Sequence, residues 1–346
     1  MNRALTLIFY LTMWYALNVQ YNLYNKKILN AFPFPASCSL IQLGTGIFYV
    51  LPQWILGFNG RRFPAGTPKI MLCVVAFCHG AGHFATVISL GAGSVAFANV
   101  VKAAEPLFSV LIGVLVVLIS KKGAYPSVME CLALVPIIAG VMIASMAEPE
   151  FSQTAFMFAM LSNVLFAARG TFAKKMMVDG VSGADAFAVS TFTAFFLMAP
   201  LAYVMEYEAV VPAWEKLSAG SMAEISWGDL ANGQLAADAR PTQAYFLAYN
   251  LVCGLYYYTY NEMAFSVLDL LDPVGQAVGN TVKRVVIIIA GTIVFNKPLT
   301  QNGIVGSSVA IGGVLLYSII KSQGAKKVAE GAKKAAEEKK KIGGRG

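Results

Sequence analysis

The sequence predicts an all-α polytopic membrane protein, with ten transmembrane helices arranged as two inverted five-helix repeats. Three observations carry that reading. A bilayer needs about 20 apolar residues per helix, and ten stretches of that length run roughly 5–29, 36–58, 69–90, 93–119, 127–147, 152–173, 184–206, 243–266, 273–295 and 302–320. Charged residues make up only 13% of the chain and hydrophobic ones 57%, against about 25% charged in an ordinary soluble domain. The fourth and ninth stretches share a phrase, Asn99-Val100-Val101-Lys102 against Asn280-Thr281-Val282-Lys283.

In chain order, the first stretch ends in Tyr21-Asn22-Leu23-Tyr24-Asn25-Lys26-Lys27, a polar-aromatic interface. Pro33-Phe34-Pro35 separates it from the second. Met1-Asn2-Arg3 runs almost directly into the first helix, so no secretory signal or transit peptide is expected in these residues. The third stretch carries the only two histidines, His79 and His83. His83 and Thr86, three apart, share a helix face. His79 and His83 have a metal-like spacing, but two histidines and scarce deep carboxylates give no expectation of a metal, a cofactor or enzyme chemistry. The fourth stretch holds Lys102 deep in the span, followed by Glu105-Pro106. Pro106 should break or kink that helix and free backbone carbonyls at membrane depth. Glu105, one turn on, is within reach of Lys102.

Each matched lysine precedes a long apolar run, a short basic loop (Ser120-Lys121-Lys122, Asn296-Lys297-Pro298) and a helix with a similar phrase. Those phrases are Gly140-Val141-Met142-Ile143-Ala144-Ser145 and Gly313-Val314-Leu315-Leu316-Tyr317-Ser318. An odd number of helices per half forces the second half to enter inverted. A substrate site is then expected near the midplane, with Lys102 and Lys283 approaching from opposite halves. The first half covers 1–147, and the second covers 148–321 with a longer loop at 207–242; a charged C-terminal tail, helical or disordered, occupies 322–346.

The sixth stretch carries Asn163 and Arg169; Arg169 either snorkels to the interface or faces a cavity. The eighth is aromatic, Tyr256-Tyr257-Tyr258-Thr259-Tyr260-Asn261-Glu262, and one tyrosine per turn can face a cavity. In the ninth, Lys283 and Arg284 fall near mid-span. Each such charge costs roughly 2.5–3.5 kcal/mol on the lenient insertion scale, and such groups face the bundle interior and find partners. No carboxylate in that helix neutralises both, so an anion from elsewhere is expected, and a substrate fits. Lysine supplies a point charge and arginine a fork that matches phosphate or carboxylate.

The five cysteines lie in apolar stretches, scattered and without metal spacing, as small buried hydrophobes. No Asn-x-Ser/Thr glycosylation acceptor occurs. If loops alternate, Arg3, Arg61, Arg62, Lys69, Lys121, Lys122, Lys174, Lys175 and the Lys-rich tail share one side, with both termini. The net charge of +8 fits anionic lipid headgroups and not nucleic acid.

At these residues the sequence resembles the plastid phosphate translocators, relatives of nucleotide-sugar carriers in the drug/metabolite transporter superfamily. The matching motifs are Tyr24-Asn25-Lys26-Lys27, Gly82-His83 through Thr86, Val101-Lys102-Ala103-Ala104-Glu105-Pro106, Tyr260-Asn261-Glu262 and Gly279-Asn280-Thr281-Val282-Lys283-Arg284. The resemblance implies ten helices and exchange of inorganic phosphate for a phosphorylated C3, C5 or C6 compound across the plastid (chloroplast) inner envelope. By motif match it implies that Thr86, Lys102, Lys283 and Arg284 hold the phosphate. His83, Tyr260 and Arg169 would hold the rest of the substrate. Family members that carry phosphoenolpyruvate tend to lack a histidine at position 83, so triose phosphate and 3-phosphoglycerate are the expected partners of phosphate. Hexose or pentose phosphates, phosphoenolpyruvate and nucleotide sugars remain alternatives.

Overall fold

The computed structural model describes residues 3–121, 125–149, 151–176, 182–217, 242–270 and 273–343. Among them, every regular element is helical. The helices are α1 (Arg3–Ala31), α2 (Pro35–Leu56), α3 (Lys69–Ala92), α4 (Val95–Val101), α5 (Glu105–Ser120), α6 (Val128–Leu132), α7 (Leu134–Met146), α8 (Gln153–Met176), α9 (Gly183–Glu215), α10 (Gln243–Leu270), α11 (Pro273–Val294) and α12 (Gln301–Gly343). Taking α4 with α5 and α6 with α7 as single spans, seven spans in the described residues are long and apolar enough to cross a membrane. Side-chain exposure agrees with a lipid surround. Helix α5 is apolar from Leu107 to Ile119 apart from Ser109, yet none of its residues is fully buried. A water-soluble protein would expose such a face only as a binding patch.

The expected break at Pro106 is present. Ser94 caps α4, its hydroxyl accepting from Phe97 N at 3.0 Å. Lys102–Ala104 then form a 3-10 turn before α5 starts at Glu105. Glu105 N–H bonds to Lys102 O, one residue short of the α-helical register. The Val101 carbonyl that this tightening releases accepts from Asn163 Nδ2 of α8 at 3.0 Å. A buried carbonyl at membrane depth thus keeps a partner, as the absence of water there requires.

Helix α3 packs on α8 and α9, and α10 packs on α1 and α2. Helix α2 pairs with α9, α4 with α11 and α7 with α12; α5 lies on α8 and α1 on α11. Helices α7 and α12 approach each other closely through their backbones. A Cβ at Gly140 would lie 2.3 Å from Ala310 N, and one at Gly306 would lie 2.4 Å from Ala144 N. The two helices therefore meet through facing small-residue pairs, Gly140/Ala144 and Gly306/Ala310, as membrane helices do when dispersion and not water exclusion holds them together.

Two expectations need correction. Helix α9 does not stop near residue 206 but continues through Pro212 to Glu215. Trp214 packs edge-on against Phe246, 5.8 Å between rings, which holds that end of the helix down. So the first part of the 207–242 loop is helical, while its 218–241 portion lies outside the described residues. Helix α12 runs into the Lys-rich tail as far as Gly343, the helical of the two forms expected for that tail. Of the cysteines, Cys38, Cys78 and Cys253 are buried, but Cys73 and Cys131 are exposed; apolar sequence does not distinguish a lipid-facing position from a protein-facing one.

Candidate functional site

A cavity of about 330 Å³ opens among α1, α3, α4, α5, α8, α10 and α11. All seven side chains singled out from the sequence line it: Thr86, Lys102, Lys283, Arg284, His83, Tyr260 and Arg169. Trp14, Asn18, Tyr21 and Asn22 of α1 complete one wall, and Phe166, Tyr257 and Asn261 much of another.

The helix break positions the first cation. Lys102 sits in the 3-10 turn, and its Nζ donates to Thr86 Oγ1 at 3.2 Å. The Thr86 hydroxyl donates in turn to Gly82 O one turn back, at 2.9 Å. Lys102 Nζ also lies 5.2 Å from the centre of the Phe166 ring. Arg169 approaches the same ring from its own helix, at 4.9 Å. One aromatic ring thus lies against two cations, each contact worth about 0.5–2 kcal/mol. Lys283 Nζ lies 4.7 Å over the Trp14 ring.

Four cations and one carboxylate, Glu105, line the cavity. Glu105 does not pair with Lys102 as the one-turn spacing suggests. Its Oε2 accepts from Arg284 Nη2 at 3.2 Å. Lys102 reaches Thr86 of α3 instead, while Glu105 reaches across to α11. Arg284 is therefore not left without a protein partner, contrary to expectation. Among the described residues, no carboxylate lies within ion-pair distance of Lys102, Lys283 or Arg169.

Arg169 faces the cavity and does not snorkel; its Nη1 lies 2.9 Å from His79 Nδ1. The metal-like His79/His83 spacing serves separate purposes. His79 is a buried partner of Arg169, while His83 packs on Tyr257 with rings 4.0 Å apart. His83 Nε2 and Trp14 Nε1, both on residues lining the cavity, are buried polar atoms without a protein partner among the described residues. Such atoms need one, because an unmet buried donor or acceptor costs about 1–3 kcal/mol.

Sequence reasoning missed Tyr257, Tyr21, Trp14 and Phe166. Tyr21 lies 5.4 Å from Tyr257 and 5.5 Å from Tyr260, so three phenols from α1 and α10 form one aromatic wall. Within the tyrosine run of α10, helix phase alone does not tell which ring turns inward; contact with α1 decides it.

Residues 5–318 match the Triose-phosphate Transporter family across nearly the whole chain. The chain belongs to that family. Triose-phosphate Transporter proteins are transporters and not enzymes, which agrees with a cavity built of fixed charges. The chain is 36% identical over 321 residues to the chloroplastic triose phosphate/phosphate translocator of Zea mays, covering 92% of this chain and 72% of that protein. It is 33% identical over 311 residues to the chloroplastic phosphoenolpyruvate/phosphate translocator 2 of Arabidopsis thaliana, covering 89% and 75%. The triose phosphate/phosphate translocator of Pisum sativum is 34% identical over 321 residues, covering 92% and 73%. With chloroplastic relatives and its membrane-length apolar helices, this Triose-phosphate Transporter member is a plastid multi-pass membrane protein.

Proposed function

We propose that the protein is an antiporter exchanging inorganic phosphate for phosphorylated C3 compounds, triose phosphate and 3-phosphoglycerate, by alternating access. The observation that carries this is the charge of the cavity: four cations, of which only Arg284 has a carboxylate partner among the described residues. A phosphate dianion offers the compensating charge and enough acceptors for Lys102, Lys283, Arg284 and the Thr86 hydroxyl together. The rest of the substrate would meet His83, Tyr260 and Arg169 in the same cavity. Relatives named as translocators of triose phosphate and of phosphoenolpyruvate both support phosphate exchange. His83 in the wall supports the triose phosphate type. The volume, at the small end of ligand cavities of about 300–1,000 Å³, favours a small phosphorylated metabolite over a nucleotide sugar.

The packing pattern supports two inverted halves, 1–147 and 148–321. Exchange every span for the one five spans later, and α3 on α8 becomes α10 on α1, α3 on α9 becomes α10 on α2, and α5 on α8 becomes α11 on α1. The pairs α2–α9, α4–α11 and α7–α12 map onto themselves, while α2–α3 and α11–α12 map onto the slighter contacts α9–α10 and α4–α7. Rocking of one half against the other would open the cavity to each side in turn. In this reading both termini and the Lys-rich tail face the same, more basic side. An empty carrier that occludes must desolvate unpaired cations, at several kcal/mol per ion. Bound phosphate removes that barrier, so only the loaded carrier crosses, and counter-exchange is obligatory.

The test is competition. In phosphate-loaded proteoliposomes, uptake of labelled phosphate is followed with triose phosphate, 3-phosphoglycerate, phosphoenolpyruvate, glucose 6-phosphate and a nucleotide monophosphate outside. Triose phosphate and 3-phosphoglycerate should compete best. A stronger effect of phosphoenolpyruvate or hexose phosphate would reassign the substrate within the family, and dominance of the nucleotide would overturn the reading.

A further inference from the structure

We propose that His79 is a positioning residue for Arg169, and that through it His79 sets how the carrier weighs a phosphorylated C3 substrate against inorganic phosphate; this rests on the exchange reading above. Arg169 Nη1 lies 2.9 Å from His79 Nδ1. A guanidinium only donates, so Nδ1 accepts and the proton of the neutral ring is on Nε2. That nitrogen lies 3.2 Å from Thr191 Oγ1 and 3.3 Å from the Tyr257 hydroxyl. The Thr191 hydroxyl already donates to Phe187 O at 3.0 Å, which leaves its lone pairs to accept from His79. One imidazole thereby links α3, α8, α9 and α10.

The ring itself is fully buried and does not line the cavity, while Arg169 and Tyr257 both do. Phe187 packs edge-on against it at 5.3 Å, which fixes its plane. Arg169 has no carboxylate within ion-pair distance among the described residues; its other hold is the Phe166 ring. Nδ1 takes one of its five N–H donors and leaves the others for the cavity. Without that acceptor, Arg169 keeps its charge but loses its direction, and its long stem can swing toward the interface. The loss falls on the part of the substrate away from the phosphate. Inorganic phosphate, held by Thr86, Lys102, Lys283 and Arg284, feels it less.

The experiment measures KM for external phosphate and for external 3-phosphoglycerate in phosphate-loaded proteoliposomes. The proteins are wild type, His79→Leu, His79→Gln, Thr191→Val, Arg169→Ala and the His79→Leu/Arg169→Ala double variant. Glutamine keeps one acceptor and one donor; leucine keeps neither. Expected for His79→Leu is a rise of about tenfold in the ratio of KM for 3-phosphoglycerate to KM for phosphate, the scale of one lost hydrogen bond to a charged group. His79→Gln should restore most of the wild-type ratio. In the Arg169→Ala background His79→Leu should change it no further. Thr191→Val, nearly isosteric, should shift the ratio in the same direction, about threefold, and carries the test if the leucine variant does not fold. An unchanged ratio in folded His79→Leu or Thr191→Val, or an undiminished effect without Arg169, would overturn the proposal. Wild-type protein that moves neither anion would overturn the exchange reading itself, and this role with it.

Discussion

Arg284 Nη2 and Glu105 Oε2 lie 3.2 Å apart, joining the first turn of α5 to the middle of α11 beside the cavity. The pair leaves Arg284 partly neutralised, while Lys102 and Lys283 are held by a hydroxyl and an aromatic face. On the exchange reading, Glu105 would compete with the substrate anion for Arg284. Glu105→Gln should lower KM for phosphate by about tenfold, the scale of coupling between close charges. The turnover rate should fall with it, because release into either compartment becomes slower. Initial rates of exchange in proteoliposomes check both.

Lys283→Met should separate function from stability. Removing one partner of a desolvated charge-assisted contact typically costs 2–5 kcal/mol, so exchange should fall by roughly 30-fold or more. The folded protein loses a half-buried cation that lacks a carboxylate within ion-pair distance among the described residues. A flexible apolar side chain over Trp14 should then leave the melting temperature in detergent unchanged or raised. A parallel loss of melting temperature would argue that Lys283 is structural.

A second charged cluster lies away from the cavity. Arg61, between α2 and α3, bonds Glu262 of α10 and lies 3.3 Å from Asp185 in the first turn of α9. Tyr49 donates to the other Glu262 oxygen at 2.9 Å. Arg61→Met leaves two carboxylates facing each other in a half-buried site and should cost about 3–5 kcal/mol. Thermal unfolding in detergent should register the loss, and Arg61→Lys should recover only part, since lysine lacks the fork that reaches both carboxylates.

The α7–α12 crossing gives a paired prediction. Gly306→Ala drives a methyl into the α7 backbone, 2.4 Å from Ala144 N, and should destabilise strongly, by more than about 3 kcal/mol. Gly312→Ala, six residues on in the same helix with nothing within 4 Å of its Cβ, should stabilise by roughly 0.5–1 kcal/mol. Melting temperatures of the two variants decide it.

Much of the site was legible because the bilayer makes deep charge conspicuous. Lys102, Lys283, Arg284 and Arg169 interrupt apolar runs, and all four line one cavity. The break at Pro106 was legible for the same kind of reason, since proline chemistry is local. What stayed hidden depends on contacts between helices. Glu105 pairs with Arg284, 179 positions away, and not with its neighbour Lys102. His79 looks like half of a metal pair until Arg169, 90 positions away, is seen to use it. Tyr257 and Trp14 are aromatic residues among many, and only tertiary packing turns them toward the cavity. The extension of α9 was missed because proline and charge were read as stops, whereas Trp214 packing carries α9 past Pro212.

The most direct measurement of obligatory exchange is uptake of labelled phosphate by proteoliposomes loaded with phosphate and by identical vesicles left empty. Uptake into loaded vesicles alone is expected, because an empty cavity must close over unpaired cations to return. Equal rates in both would contradict that account, since the unloaded carrier would then reorient as readily as the loaded one.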